Sequence, residues 1–150
     1  MLYIIIGILI FAADMGTKLL AVNNLKALDS IPLIDKILHL TYIENSGIAF
    51  GMFGGGKIVF IILTLVISTA LLIFVLRTEK RSVWLKLGTA FVISGALGNL
   101  VDRIARGYVV DFIDFRIIHF PVFNVADIAV CVGAVMLLIH FLIADKKSEG

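Results

Sequence analysis

The sequence predicts an all-α membrane protein: four transmembrane helices, both chain ends on the cytoplasmic side, and a small β-rich element at the extracytoplasmic surface. Three observations carry that expectation. Apolar residues make up 61% and charged residues 16% of the 150 positions, with a mean hydropathy of +1.10, whereas soluble domains sit near roughly 45–50% and 25%. Four stretches reach the roughly 20 mainly apolar residues a helix needs to cross a hydrocarbon core of about 30 Å. The basic residues cluster near the ends of those stretches, as membrane topology requires. The length fits one domain, 1–150. A net charge of +2 is too small to argue for nucleic acid.

The first predicted helix spans about 2–20; it opens with LYIIIGILIFAA and continues through Asp14 and Lys18. A cleaved signal peptide fits poorly, because no positive region precedes the apolar run and an acid and a base sit in its later part. Residues 37–50, ILHLTYIENSGIAF, partly alternate and are rich in β-formers. They predict a short sheet at the membrane surface, followed by a flexible turn at the glycine cluster 54–56. The second helix, about 58–76, carries no charge at all. After it come Arg77, Lys80, Arg81 and Lys86 against the single acid Glu79, and the tail holds Lys146 and Lys147. By the positive-inside tendency both regions are cytoplasmic, and four crossings bring the N-terminus to the same side. The third helix, about 84–104, ends in the polar run SGALGNLVDRI. The connection that follows, YVVDFIDFRIIHFPVF, is aromatic and apolar, so it is expected at headgroup level or over a lipid-facing cleft. The fourth helix begins near Asn124 and runs to about 144.

Several chemistries lack their residues. One cysteine, Cys131, excludes an internal disulfide framework and reads as a packing residue. His39, His119 and His140 are scattered with no HExxH spacing, so a zinc mechanism has no support. Neither a Gly-x-Ser-x-Gly elbow nor a Walker loop is present. What stands out is a set of acids where acids are costly. Asp14, Asp102, Asp111 and Asp127 fall in or at the outer ends of the predicted helices. A charge at the centre of a membrane helix costs roughly 2.5–3.5 kcal/mol and usually faces the bundle interior.

Spacing sorts these acids. Asn99, Asp102 and Arg103 share a helical face, Asn124 and Asp127 lie three apart, and Asp14 and Lys18 lie four apart as a local acid–base pair. The adjacent Arg103 would hold Asp102 ionised, which points to a structural role. Asp111 and Asp127 have no Lys or Arg within three positions and apolar neighbours on both sides. Desolvation raises a carboxyl pKa, and two carboxyls held close do not both ionise easily. One protonated and one ionised carboxyl is what acid–base hydrolysis of an amide needs. A small transport or proton-relay subunit is the rival reading, since buried acids also mark ion pathways, and a purely structural subunit is a third. Transport sites gather near the bilayer midplane, whereas these acids gather at the outer helix ends.

Five segments, in order, carry a resemblance: DMGTK (14–18), YIENSGIAFG (42–51), SGALGNLVDRI (94–104), GYVVDFIDF (107–115) and FNVADIAV (123–130). Along nearly its whole length the chain resembles the prolipoprotein signal peptidase family, also called signal peptidase II. The resemblance implies an aspartic endopeptidase that uses no metal or other cofactor. It implies a bacterial cytoplasmic-membrane enzyme cutting prolipoproteins just before a diacylglyceryl-modified cysteine, with the active site near the extracytoplasmic face. Its partners would be the lipid-modified precursor and membrane lipid, with no nucleic acid, and the enzyme is expected to be a monomer. The family's catalytic pair maps onto Asp111 and Asp127. Asn45, Asn99, Asn124, Arg103 and Asp14 map onto residues that support substrate, dyad or fold. Gly47, Gly95 and Gly98 lack side chains, so backbone or lipid could approach there, while Gly95 and Gly98 could equally be a helix–helix contact. Phe112, Phe115, Phe120 and Phe123 read as an interfacial belt or as surface for acyl chains. Asp114 is expected at the surface and outside the chemistry. Met15 and Ile48 depart from common family choices without removing an acid.

Overall fold

The computed structural model describes residues 2–47, 56–78, 82–118 and 120–146. Among them, four helices are long and apolar enough to cross a membrane. They are α1 (Leu2–Asn24), α2 (Gly56–Arg77), α3 (Val83–Ala105) and α4 (Val125–Lys146). All four spans fall within a few residues of their predicted bounds. Transfer from water to lipid is a property of each segment's own side chains, so composition alone locates them. Of the predicted glycine turn only Gly56 is described, and it opens α2; Ile48, His119 and the basic residues Lys80, Arg81 and Lys147 lie outside the described residues.

The helices differ in how much of themselves they bury. The spanning part of α2 has no buried residue; it packs mainly on α3, and its Phe74 ring lies 5.9 Å from that of Phe141 on α4. The tight pair is α3 with α4. A Cβ on Gly88 would lie 2.9 Å from the Gly133 carbonyl oxygen, and one on Gly95 would collide with the carbonyl of Ala126. Small residues therefore let these two backbones meet, which decides Gly95 in favour of helix contact. Ser82 caps α3, its Oγ accepting from Leu85 N–H at 3.1 Å, and shares a 2.8 Å hydrogen bond with His140 Nδ1 on α4. Cys131 does not pack inside as expected. It lies exposed on α4, two residues from buried Ala129 and Gly133 and so on the opposite face.

Both connections at one end of the bundle contribute to a three-stranded antiparallel sheet in the order β1-β2-β3. The strands are β1 (Ile31–Ile34), β2 (Leu38–Asn45) and β3 (Val109–Phe115). The predicted stretch 37–50 supplies only β2. Its partners, β1 and β3, come from segments that show no strand signal strong enough to separate from apolar loop. β1 is four residues with a proline, tolerated because it is the sheet edge. β3 reads as aromatic connection until β2 pairs with it, Leu38 opposite Phe115 through Asn45 opposite Val109.

Alternation along β3 then fixes what faces where. Val110 and Phe112 bury against Ala21 of α1 and Leu25 just after it, so Phe112 belongs to the core and not to an interfacial belt. Phe120 is the exposed one, edge-on to Phe123 at 5.6 Å. Asp111 takes the other face, toward α3 and α4. Asp114 is half-buried at the surface of the sheet, where its carboxylate accepts from Thr41 Oγ1 at 2.7 Å and from Arg116 Nε at 2.8 Å. Burial pushes that carboxyl up, but those two bonds outweigh it and hold it below the ordinary carboxylate range.

Candidate active site

The site is built on the first turn of α4. Asn124 precedes the helix, and its Oδ1 accepts from Asp127 N–H at 3.0 Å. Asp127 Oδ2 in turn accepts from Asn124 N–H at 3.1 Å. This reciprocal pair is a capping box, and it is why the two residues stand three apart. Asp14 of α1 adds a third acceptor, its Oδ1 taking the Ala126 N–H at 2.9 Å. The free N–H groups and the positive end of the helix dipole thus gather carboxylates at one place. Gly98 on α3 makes the approach possible, since any Cβ there would run into Asp14 Oδ2. Its missing side chain leaves room for an acid rather than for lipid.

Asp111 arrives from β3. Asn124 Nδ2 donates to its Oδ1 at 2.6 Å, and Asn45 Nδ2 donates to its Oδ2 at 2.8 Å. Asn45 is held by its own turn, with Oδ1 accepting from Gly47 N–H at 2.9 Å. Gly47 has φ +71°, and a Cβ would sit 2.6 Å from Phe60 Cε2, so only glycine fits. Asp111 is buried, and its carboxyl is pushed up to about 6. Burial is the main cause and the nearby charge of Asp127 adds to it, against the hydrogen bonds from Asn45 and Asn124. One asparagine, Asn124, therefore touches both acids. The span between the two carboxylates is no greater than one side chain and its own backbone nitrogen.

Asn99 on α3 is the second junction. Its Nδ2 donates to Asp127 Oδ1 at 2.8 Å, while its Oδ1 accepts from Asn124 Nδ2 at 3.1 Å and from Lys18 Nζ at 2.8 Å. Arg103, one turn on, lies over the Phe60 ring at 4.6 Å and within electrostatic reach of Asp127 and Asp111. So a cation faces both acids in space although neither has one nearby in sequence. Asp102 lies in the field of its neighbour Arg103 but makes its ion pairs with other residues. It pairs with Arg106 Nε at 3.1 Å and Lys18 Nζ at 3.5 Å, and accepts the Val110 N–H at 3.0 Å, which anchors the start of β3.

All eight residues expected at the site fall in one connected cluster: Asp14, Asn45, Gly47, Asn99, Arg103, Asp111, Asn124 and Asp127. Asp14 enters through the cap of α4 and its 2.8 Å pair with Lys18. Two contributors escaped the sequence reading. Lys18 reads there as half of a local pair, yet it also reaches Asn99. Phe60 lies in an uninterrupted apolar run with nothing to distinguish it. Among the described residues, no group of three or more His, Cys, Asp or Glu is placed to hold a metal ion.

Four helices long and apolar enough to cross a membrane, with two carboxylates bridged by an asparagine at one end of the bundle, define the class: a multi-pass membrane protein. Comparison with known proteins gives the particular family. A sequence profile described as Signal peptidase (SPase) II matches residues 6–143. The lipoprotein signal peptidase of Clostridioides difficile (strain 630) is 46% identical over 149 residues, covering 99% of this chain and all of that one. That of Bacillus subtilis (strain 168) is 36% identical, covering 99% and 98%. A solved bacterial membrane enzyme superposes with a TM-score of 0.87 at 33% identity, covering 93% of this chain and 92% of the other. The chain belongs to the signal peptidase II family, and it is a protease.

Proposed function

We propose that the protein removes signal peptides from bacterial prolipoproteins, cutting before a cysteine that already carries diacylglycerol, with Asp111 and Asp127 as the catalytic pair. The observation that carries this reading is Asn124, hydrogen-bonded at once to Asp111 Oδ1 and, through its backbone, to Asp127 Oδ2. Ionised Asp127 takes a proton from water, and the resulting hydroxide attacks the scissile carbonyl carbon. Protonated Asp111 gives its proton to the carbonyl oxygen, forming a neutral tetrahedral diol. Collapse of the diol breaks the C–N bond; the leaving amine takes the proton held by Asp127, and one hydroxyl proton returns to Asp111. A carboxyl near 6 suits that exchange, because it gains and loses its proton close to the working pH.

Asn45 and Asn124 hold Asp111; Asn124 is fully buried with its amide engaged, whereas Asn45 is exposed and offers its amide to an extended peptide backbone. Gly47 and Arg103, both against the Phe60 ring, form the wall of the site nearest α2. Arg77 and Lys86 stand at the bundle end opposite the sheet. This supports a cytoplasmic location for both chain ends and an extracytoplasmic active site in the bacterial cytoplasmic membrane. The enzyme acts as a monomer with membrane lipid around it. The relay-subunit alternative has no observation in its favour.

The test is cleavage in detergent of a diacylglyceryl-modified precursor beside its unmodified form. Only the lipidated form is cut, and Asp111→Asn or Asp127→Asn each abolish cutting in a protein that still folds. Cutting that persists in either variant removes that residue from the pair. A chelator leaves the rate unchanged; inhibition would return the mechanism to a metal.

A further inference from the structure

Lys18 is fully buried on α1, and the reaction above leaves it without a task. Its Nζ lies 2.8 Å from Asp14 Oδ2, 3.5 Å from Asp102 Oδ2 and 2.8 Å from Asn99 Oδ1. The first two contacts explain why a buried cation is tolerated, since charges are kept inside only when paired. They do not explain the third. An ammonium group is a donor only, so it fixes which end of the Asn99 amide faces α1. With Oδ1 turned to Lys18, Nδ2 must point the other way, and there it donates to Asp127 Oδ1. Asn124 Nδ2 also donates to Asn99 Oδ1, but at the longer 3.1 Å, and it is shared with Asp111 Oδ1 at 2.6 Å. Lys18 is the shorter and the charged partner.

We infer that Lys18 is a positioning residue of the reaction: by holding the Asn99 amide in one orientation, it keeps a donor on Asp127 and so assigns Asp127 the base and Asp111 the acid. A flipped Asn99 would set a carbonyl oxygen against Asp127 Oδ1, an acceptor facing an acceptor, in place of the present donor. The charged groups that act on Asp127 directly are Asp111 from β3 and Arg103 from α3; Asp14 of α1 sits on the adjacent Ala126 N–H, and Lys18, itself paired with Asp14 and Asp102, reaches Asp127 through Asn99. From β2 comes only the neutral Asn45, and from α2 the ring of Phe60. Among these, Lys18 is the one that acts on Asp127 through a neutral intermediary whose direction it sets. The inference rests on Asp111 and Asp127 being the catalytic pair.

The test is the pH profile of kcat/KM for precursor cleavage. The single change Lys18→Met leaves Asp14 buried without its cation, and such a protein can fail to fold. The double variant D14N/K18M removes both charges together. The asparagine introduced on α1 can still accept the Ala126 N–H, and Asp102 keeps Arg106 and Val110. Folding of each variant is followed by thermal unfolding in detergent. In D14N/K18M the acid limb, where the base becomes protonated, is expected to move up by about one pH unit, with the plateau KM unchanged. D14N alone, retaining Lys18, measures what loss of the Asp14 charge does to that limb, and the upward shift assigned to Lys18 is the difference between D14N/K18M and D14N. A folded double variant whose limb stays where D14N leaves it, or which is inactive at every pH, overturns the proposal. Asp127→Asn, assayed in parallel, separates the two ideas: if it still cuts, the catalytic assignment fails, and if it is dead while the limb stays put, only the role of Lys18 fails.

Discussion

Replacing Asp111 by asparagine should stabilise the fold while ending catalysis. A carboxyl moved from about 4 in an unfolded chain to about 6 in the folded one is destabilising when ionised, at about 1.4 kcal/mol per pH unit, or about 3 kcal/mol at neutral pH. The sign follows from proton binding. Between about pH 6 and pH 4 the folded state holds a proton on Asp111 that the unfolded state has released, so stability contributed by this residue rises as pH falls through that window. Asparagine removes the charge but offers only one acceptor to the two amides, Asn45 Nδ2 and Asn124 Nδ2, that now face two oxygens. Losing one such bond costs about 1 kcal/mol, which leaves a net gain of about 2 kcal/mol at pH 7.5. In a chain of this size that is a rise in Tm of about 4–8 °C. Thermal unfolding of wild type and D111N in detergent, at pH 7.5 and again near pH 4, reads it directly. The two melting points should converge at the acid end, where wild-type Asp111 is neutral as well. A D111N protein that is less stable than wild type at pH 7.5, with no convergence on acidification, would refute the argument that burial sets this carboxyl.

Asn124→Ala removes the cap of α4 and the bridge between the acids; it should lower Tm, at a cost of about 1 kcal/mol for the cap and roughly 2 more for the bond to a charged group. Its cleavage rate should fall at least tenfold. Gly98→Ala places a methyl on the Asp14 carboxylate, so little folded protein is expected, measurable as lost monodisperse yield in detergent, whereas Gly16→Ala, with open space around it, folds normally. Phe60→Ala withdraws the ring under Arg103; a cation–π contact of about 1–2 kcal/mol predicts a fold that survives and a kcat/KM about tenfold lower. Asp114→Asn weakens the outer sheet through lost bonds to Thr41 and Arg116. Its deficit in Tm is present at neutral pH and disappears as pH falls below about 4, because the wild-type carboxylate is held low and becomes protonated there.

Much of the candidate site was legible because part of its geometry is local. Asn124 and Asp127 form a capping box whose spacing is written in the chain, and Asp14 with Lys18 forms an i,i+4 pair. The isolation of Asp111 and Asp127 from nearby cations marked them as unlike Asp102. That comparison anticipated the burial of Asp111 and misjudged the partner of Asp102. Arg103 acts on Asp102 only through its field, as it does on Asp111 and Asp127, and stacks on Phe60, while Arg106 and Lys18 make the ion pairs with Asp102. Residues adjacent in sequence point about 100° apart on a helix, so adjacency is poor evidence of contact.

By itself the sequence determined the solvent, the four spans, and which acids were too costly to be idle. Those are sums over the side chains of one segment, and no neighbour is needed to evaluate them. Only the tertiary structure decided that β3 pairs with β2 and so delivers Asp111 to Asn45, 66 positions away. It also decided that Gly95 and Gly98 are clearance for Ala126 and Asp14, that Cys131 faces outward, and that Lys18 reaches Asn99 across 81 positions. A hydrogen bond is made or lost within an ångström, and that ångström is set by how closely two helices are allowed to approach, which is a property of the pair and of neither helix alone.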